Sequence, residues 1–219
     1  MTQARRRGRP ARISWQDIAK SALVIGLDEV TLPAIAEHLG VDHSSLYRHI
    51  GGREDMLLAA ANLAIAELDW EIETDDWREY LIVMSEAVWD LYARYPGLAE
   101  TMRTLSETPP AGAQAFGRAC QALEKFGFSA QDTVLIVDSI MDMTSDSASG
   151  WQRLGTPAQD GTVPKDKLRR SWQDATDYDG HTTEQFRIVA NIITGDPKEW
   201  WRRKLNILLD GTSTRRNSQ

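Results

Sequence analysis

The sequence has little of what enzymes and secreted proteins are built from. It holds one cysteine, Cys120, so no disulfide can form within the chain, and a reducing cytoplasm suits it. It holds only four histidines, His38, His43, His49 and His181. One thiol and four scattered imidazoles supply no nucleophile–base set and no metal cluster, so the chain is not expected to be an enzyme. No cofactor and no metal are expected either. No apolar run reaches the length of a membrane span, and the arginine-rich beginning lacks the apolar stretch of a signal peptide. No membrane association is expected, and the expected location is cytoplasmic. Strand-like alternation is scarce, and there is no internal repeat.

What is there is helical. Amphipathic periodicity fits segments 53–73, 75–94, 111–127, 130–152, 183–194 and 197–210, with a short one near 97–106. With three short helices before residue 52, the expectation is an all-α fold of about nine to ten helices. Gly51-Gly52 is a natural break, and Thr108-Pro109-Pro110 separates helices near the middle. The stretch 155–181 contains Gly155, Pro157, Gly161, Pro164 and Gly180 and reads as a long connection with one helix near 165–175. Three parts follow: a basic arm over 1–12, a small helical domain over 13–52 and a larger helical body over 53–219.

The small domain carries the sharpest pattern. Thr31 can cap a helix in which Pro33 comes early, where a missing N–H matters little. Leu32, Ile35, Ala36 and Leu39 recur at three and four and make one buried face. Gly40 supplies the positive φ that a helix end often needs. Val41 and Leu46 turn inward, Asp42 can cap a second short helix, and His43, Ser44 and Ser45 occupy its first turn. This is the spacing of a helix-turn-helix whose second helix enters the major groove of DNA. An ordinary helical hairpin has the same spacing. Before it, Ser14 opens a helix with Asp17 at the capping-box position, and Ile18, Ala22 and Ile25 form its stripe, with Ala19 and Leu23 beside it.

Charge separates the motif from the rest. Residues 1–12 contain Arg5, Arg6, Arg7, Arg9 and Arg12 and no acid, with Gly8 and Pro10 to break any helix. Such a segment serves as a phosphate-binding or minor-groove arm, or is simply a solvated terminus. Residues 1–53 carry eight basic against five acidic side chains, a net of +3, which leaves −10 of the chain's −7 for the remainder. Positive charge is gathered where a phosphate backbone would lie, and the acidic remainder keeps the other surfaces off DNA.

Ile35-Ala36, Leu39-Gly40-Val41, Leu46-Tyr47-Arg48-His49, Arg53 and Met56-Leu57 together resemble the DNA-binding domain of the TetR-type transcriptional regulators. The resemblance is tight over about 13–60. Arg94-Tyr95-Pro96-Gly97-Leu98-Ala99-Glu100 and Leu205-Asn206-Ile207-Leu208-Leu209-Asp210-Gly211 extend it to the tetracycline-repressor-like branch. The resemblance implies that Thr31 bonds a phosphate, that His43, Ser44 and Ser45 face bases, and that Tyr47, His49 and Arg53 hold the backbone. Arg48 reaches backbone or base. Tyr47 has a second reading as a packing residue with its hydroxyl at the rim, and His38 is expected at the surface. The first turn of the recognition helix has no Arg, Asn or Gln for bidentate base contacts, so shape readout is expected to assist.

The body is expected to dimerise and to sense. One short recognition helix reads too few base pairs, so such proteins bind inverted repeats of double-stranded DNA as homodimers. The family uses two late helices, here 130–150 (Val134, Ile136, Val137, Ile140, Met141) and 197–210 (Trp200, Trp201, Leu205, Leu208, Leu209), which otherwise serve as core. Eight tryptophans in 219 residues is a high count. Trp70, Trp77, Tyr80, Tyr92, Phe116, Met143, Trp151 and Trp172 add to an aromatic and methionine inventory suited to a pocket for an apolar or aromatic effector. Each is singly more often core. Met84, Trp89, Met102 and Met141 are the first candidates. Asp138, Asp142 and Asp146 repeat every four residues as a solvated or interface face. Residues 97–107 contain no histidine, so a drug–metal chelate is not the expected ligand. The overall expectation is a dimeric repressor released by a small effector. The alternative is a DNA-binding regulator controlled by a protein partner, with a filled interior.

Overall fold

The computed structural model describes residues 13–177, 180–181 and 183–216. Within them the chain forms ten α-helices and one 3-10 helix, with no strand. In order these are α1 (Trp15–Ile25), α2 (Leu32–Leu39), the 3-10 helix (His43–Arg48), α3 (Arg53–Ile65), α4 (Trp77–Arg94), α5 (Leu98–Thr104), α6 (Pro110–Lys125), α7 (Ala130–Gly155), α8 (Pro164–Gln173), α9 (Glu184–Thr194) and α10 (Pro197–Arg216). None of the described helices is long and apolar enough to cross a membrane.

The helix starts are written by their caps. Ser14 Oγ accepts the Asp17 N–H at 3.2 Å, and the Asp17 carboxylate accepts the Ser14 N–H at 2.9 Å, completing the reciprocal box with Asp in place of Glu. That contact with the Ser14 hydroxyl and N–H holds the Asp17 carboxyl below its ordinary range. Asp76 caps α4 through the Arg78 N–H, and Ser129 caps α7 through the Asp132 N–H. Each such cap stabilises its helix by about 1 kcal/mol. Gly40 ends α2 in the left-handed region, at φ 64° and ψ 34°.

The expected helix over 53–73 is shorter than its periodicity suggests. α3 stops at Ile65, whose carbonyl accepts the Leu68 N–H of a tighter closing turn and the Trp70 indole N–H. Beyond it Glu67, Asp69, Glu71, Glu73, Asp75 and Asp76 would crowd negative charge onto the negative end of the helix dipole. The second helix of the motif also differs from a regular α-turn. Ser45 N–H reaches the Asp42 carbonyl at 2.9 Å and His49 N–H the Leu46 carbonyl at 2.9 Å, the tighter 3-10 pattern. Asp42 binds both the N–H and the hydroxyl of Ser44, which draws the first turn in.

One apolar interior runs through the molecule. In the N-terminal helices Ile18, Ala22, Ile35 and Leu46 are fully buried. α3 packs on α1 on one side and on α6 on the other. α7, about 39 Å long at its 26 residues, is the axis of the body and packs on α4, α5, α6 and α10. Trp201 of α10 is fully buried, stacks on Trp89 of α4 with centroids 4.9 Å apart, and donates to Thr144 Oγ1 of α7 at 3.1 Å. Outside this stack the α4–α10 contact is lined by Lys198–Asp90, Arg202–Glu86 and Arg78–Asp210 ion pairs. These are partly exposed to water and fix orientation more than they add stability.

Candidate functional site

Two sites emerge, one on the surface of the N-terminal helices and one inside the body. On the surface, the turn at Gly40 sets the 3-10 helix against α2, and burial of Leu46 with half-burial of Val41 fixes which side faces out. His43, Ser44, Tyr47, Arg48 and His49 are all exposed, and Ser45 is half-buried. Tyr47 is 53% exposed and its ring meets the His43 ring edge-on at 5.2 Å. The structure thus places Tyr47 on the outer face and not in the core. His38 is exposed.

Hydrogen-bonding states differ among these residues in a way that sequence does not show. Ser44 donates its hydroxyl proton to Asp42, leaving only acceptor capacity outward. The Ser44 hydroxyl and N–H hold the Asp42 carboxyl below its usual range. Ser45 makes no side-chain hydrogen bond among the described residues, so its hydroxyl retains both roles. Thr31 accepts the Ala34 N–H at 3.3 Å and keeps its own proton for an outside acceptor. Arg48 and Arg53 are exposed and join no ion pair among the described residues. Arg5, Arg6, Arg7 and Arg9 lie outside the described residues.

Inside the body, α3, α4, α5, α6 and α7 enclose a cavity of about 480 Å³. Three of the four sequence candidates, Met84, Met102 and Met141, line it together. Trp89 does not: it lies on the opposite side of α4, against Trp201. In its place Tyr92 lines the wall, with Trp70 and Phe116 as further aromatic surfaces. Tyr92 is 6% exposed, and burial pushes its phenol up to about 12. Its hydroxyl has no hydrogen-bond partner among the described residues. Asp138 lines the same cavity, whereas Asp142 and Asp146 border a separate groove in which Asp146 pairs with Arg103. No group of three metal-ligating side chains occurs among the described residues.

A link between the two sites was not visible in the sequence. The Leu27 N–H, at the end of the first helix region, donates to the Pro96 carbonyl at 2.9 Å. Gly97, at φ 81°, lies so close that a Cβ there would stand 2.3 Å from the Asp28 nitrogen. Only the glycine and its proline neighbour hinted that the backbone turned sharply.

Of the ten residues that the sequence offers for a dimer face, one, Val134, is exposed. Val134, Leu135 and Ile207 are exposed, while Ile136, Val137, Ile140, Trp201, Leu205 and Leu209 are core, and Met141, Trp200 and Leu208 are partly covered.

Comparison with known proteins gives this arrangement its context. In solved structures, the TetR family protein ActR of Streptomyces coelicolor, in complex with actinorhodin, superposes with a TM-score of 0.74 at 21% identity, over 92% of this chain and 96% of that one. A TetR variant of Acinetobacter baumannii in complex with minocycline gives 0.67 at 19% identity, over 94% and 99%. These likenesses concern the fold. By sequence, the class A tetracycline repressor protein of an Escherichia coli transposon is 27% identical over 184 residues, 78% of this chain and 82% of that protein. An HTH-type transcriptional repressor of Mycobacterium tuberculosis is 27% identical over 149 residues, 63% of this chain, and the match spans 56% of the length of that relative. The profile of bacterial regulatory proteins of the tetR family matches residues 23–60, and that of the tetracyclin repressor-like C-terminal domain matches residues 71–216. Both halves of the molecule, the surface motif and the hollow helical body, therefore place the chain in the TetR family of DNA-binding transcriptional regulators, and not among the enzymes.

Proposed function

We propose that the protein is a dimeric repressor that reads an inverted-repeat operator and leaves it when a small, largely apolar or aromatic effector enters the helical body. The observation that carries this reading is the span of α3. Its first residue, Arg53, follows closely on the 3-10 helix, and its last, Ile65, is a wall of the 480 Å³ cavity. Those 13 residues bridge about 20 Å. An effector that binds better to a state with α3 tilted lowers DNA affinity by that preference and no more.

In this reading residues 13–52 contact DNA and residues 53–219 hold the effector and the second subunit. His43, Ser44 and Ser45 face bases. Thr31, Tyr47, His49 and Arg53 hold phosphates, Arg48 serves either, and Arg5, Arg6, Arg7 and Arg9 reach along the duplex. The exposed Val134 and Leu135 of α7 and Ile207 of α10 meet their copies in the partner subunit. The cavity supports small-molecule control over control by a protein partner, which requires no hollow. The complexes of ActR with actinorhodin and of a TetR with minocycline support it by analogy. A cytoplasmic location follows from this role.

Selection of bound DNA from a random pool, with the purified protein stripped by denaturation and refolding, tests the reading. An inverted repeat with half-sites about one helical turn or more apart, bound by a dimer in sedimentation, is the expected result. Recovery of nothing above background, or of a single half-site by a monomer, overturns it.

A further inference from the structure

The cavity wall holds one carboxylate and no basic side chain. That carboxylate, Asp138, is exposed at the mouth and makes no ion pair or hydrogen bond among the described residues. Of the other two carboxylates in the same repeat, Asp146 is paired with Arg103, and Asp142, unpaired like Asp138 among the described residues, borders a different groove. Tyr92 also lines the wall, and its hydroxyl makes no hydrogen bond among the described residues yet is not sealed from solvent, so it is open to a polar group that enters. As a phenol it is a neutral donor at physiological pH, and burial raises its pKa further. Apart from Thr108 the remaining wall is apolar and includes two aromatic faces, Trp70 and Phe116.

We propose that this cavity takes an arylalkylamine: a flat apolar body against Trp70 and Phe116, a protonated alkylamine nitrogen at Asp138, and a hydrogen-bond acceptor for the Tyr92 hydroxyl. The proposal rests on the reading of the cavity as an effector site. A cation is favoured twice. Asp138 is its local partner, beside an apolar wall that leaves water on one side only. The remainder of the chain beyond residue 53 carries a net −10, and that field raises the local concentration of cations and lowers that of anions. A neutral ligand gains at most a hydrogen bond from Asp138, without the charge attraction, and a carboxylate is repelled by it. The cavity volume accommodates a bicyclic or larger ring system.

The test uses three probes with one ring and three head groups, naphthylethylamine, naphthylethanol and naphthylacetate, titrated into the full chain by calorimetry. The amine should bind roughly threefold to tenfold more tightly than the alcohol, and the acetate most weakly. Asp138→Asn should bring the amine down to the alcohol and leave the alcohol unchanged, and Tyr92→Phe should weaken the alcohol. An amine no tighter than the alcohol, or an amine preference that survives Asp138→Asn, overturns the proposal while the cavity remains an effector site. Gly112→Leu fills the cavity from α6, where an added Cβ meets no atom nearer than 3.6 Å. Alcohol binding that Gly112→Leu does not reduce, or no binding of any probe, overturns the effector site and the proposal together.

Discussion

The backbone N–H of Leu27 donates to the carbonyl of Pro96 at 2.9 Å, across 69 positions of sequence. Leu27 closes the first turn of the DNA-binding helices, and Pro96 begins the corner that leads into α5, whose Met102 lines the cavity. The bond therefore joins the two sites by a second route, independent of α3. Gly97 keeps the route open because nothing larger fits: its φ is 81°, and an added Cβ would come within 2.3 Å of a backbone nitrogen. A methyl there adds about 1–2 kcal/mol of left-handed strain to a clash with atoms that have no rotamer to escape into. Gly97→Ala should lower stability by at least about 2 kcal/mol and speed hydrogen exchange at the Leu27 amide. An unchanged denaturation midpoint together with unchanged exchange would mean that the two loops do not touch in solution.

Trp201 is a second joint. It is fully buried, stacked on Trp89 and bonded through its indole N–H to Thr144. Trp201→Ala should cost about 3–5 kcal/mol, and Thr144→Val, which orphans the indole N–H, about 1–3 kcal/mol. Chemical denaturation measures both. A Thr144→Val variant as stable as the parent would show that the indole N–H is not buried against α7.

Why the sequence announced some of this and hid the rest is a matter of range. The caps at Ser14, Thr31 and Asp42 and the turn at Gly40 are local, so spacing alone placed them. The cavity needed the phase of each helix. On α4, Val88 and Leu91 lie within about 40° of Met84 on the helical wheel, Tyr92 about 80° away and Trp89 about 140° away. Met84 in the cavity therefore favours Tyr92 over Trp89, a deduction available from the sequence but obscured by the size of the indole. The Asp138, Asp142 and Asp146 repeat looked uniform, yet only Asp138 lines the cavity, while Asp142 and Asp146 border a groove beside Met102 and Arg103 of α5. The Leu27–Pro96 bond joins two backbones and leaves no periodicity at all.

Tyr92 yields a pH signature. Its phenol is pushed up to about 12 by burial, from an ordinary 10. The folded chain thus keeps a proton that the unfolded chain releases above pH 10, so stability is unaffected below that point and falls as pH rises from 10 through 12. Tyr80 and Tyr95 are also raised, the first by burial and by Cys120, the second by burial and by its bonds to Glu67, so the parent falls by more than Tyr92 alone contributes. Tyr92→Phe should remove one share of that alkaline loss, on the order of 2–3 kcal/mol. At neutral pH it should change stability by less than about 0.5 kcal/mol, because no hydrogen bond is lost. A larger loss at neutral pH would reveal a partner for the hydroxyl.

The DNA face can be dissected by what each residue has left to give. Arg53 is exposed, unpaired among the described residues and at the start of α3, so it is suited to neutralise one phosphate irrespective of sequence. Arg53→Ala should weaken binding to operator and random duplex alike and flatten the plot of log affinity against log salt by about 0.9. Ser44 and Ser45 should separate from it and from each other. Ser45 has a free hydroxyl, so Ser45→Ala should relax preference at one position in each half-site with the salt slope unchanged. Ser44 has committed its proton to Asp42, so Ser44→Ala acts on the turn as much as on the base and should also loosen the first turn of the 3-10 helix. Repeating the selection with each variant measures the first effect, and amide exchange at residues 44–46 the second. If Arg53→Ala altered preference at a single base pair and left the salt slope intact, Arg53 would be a base-reading residue and α3 would lie deeper in the groove than this arrangement allows.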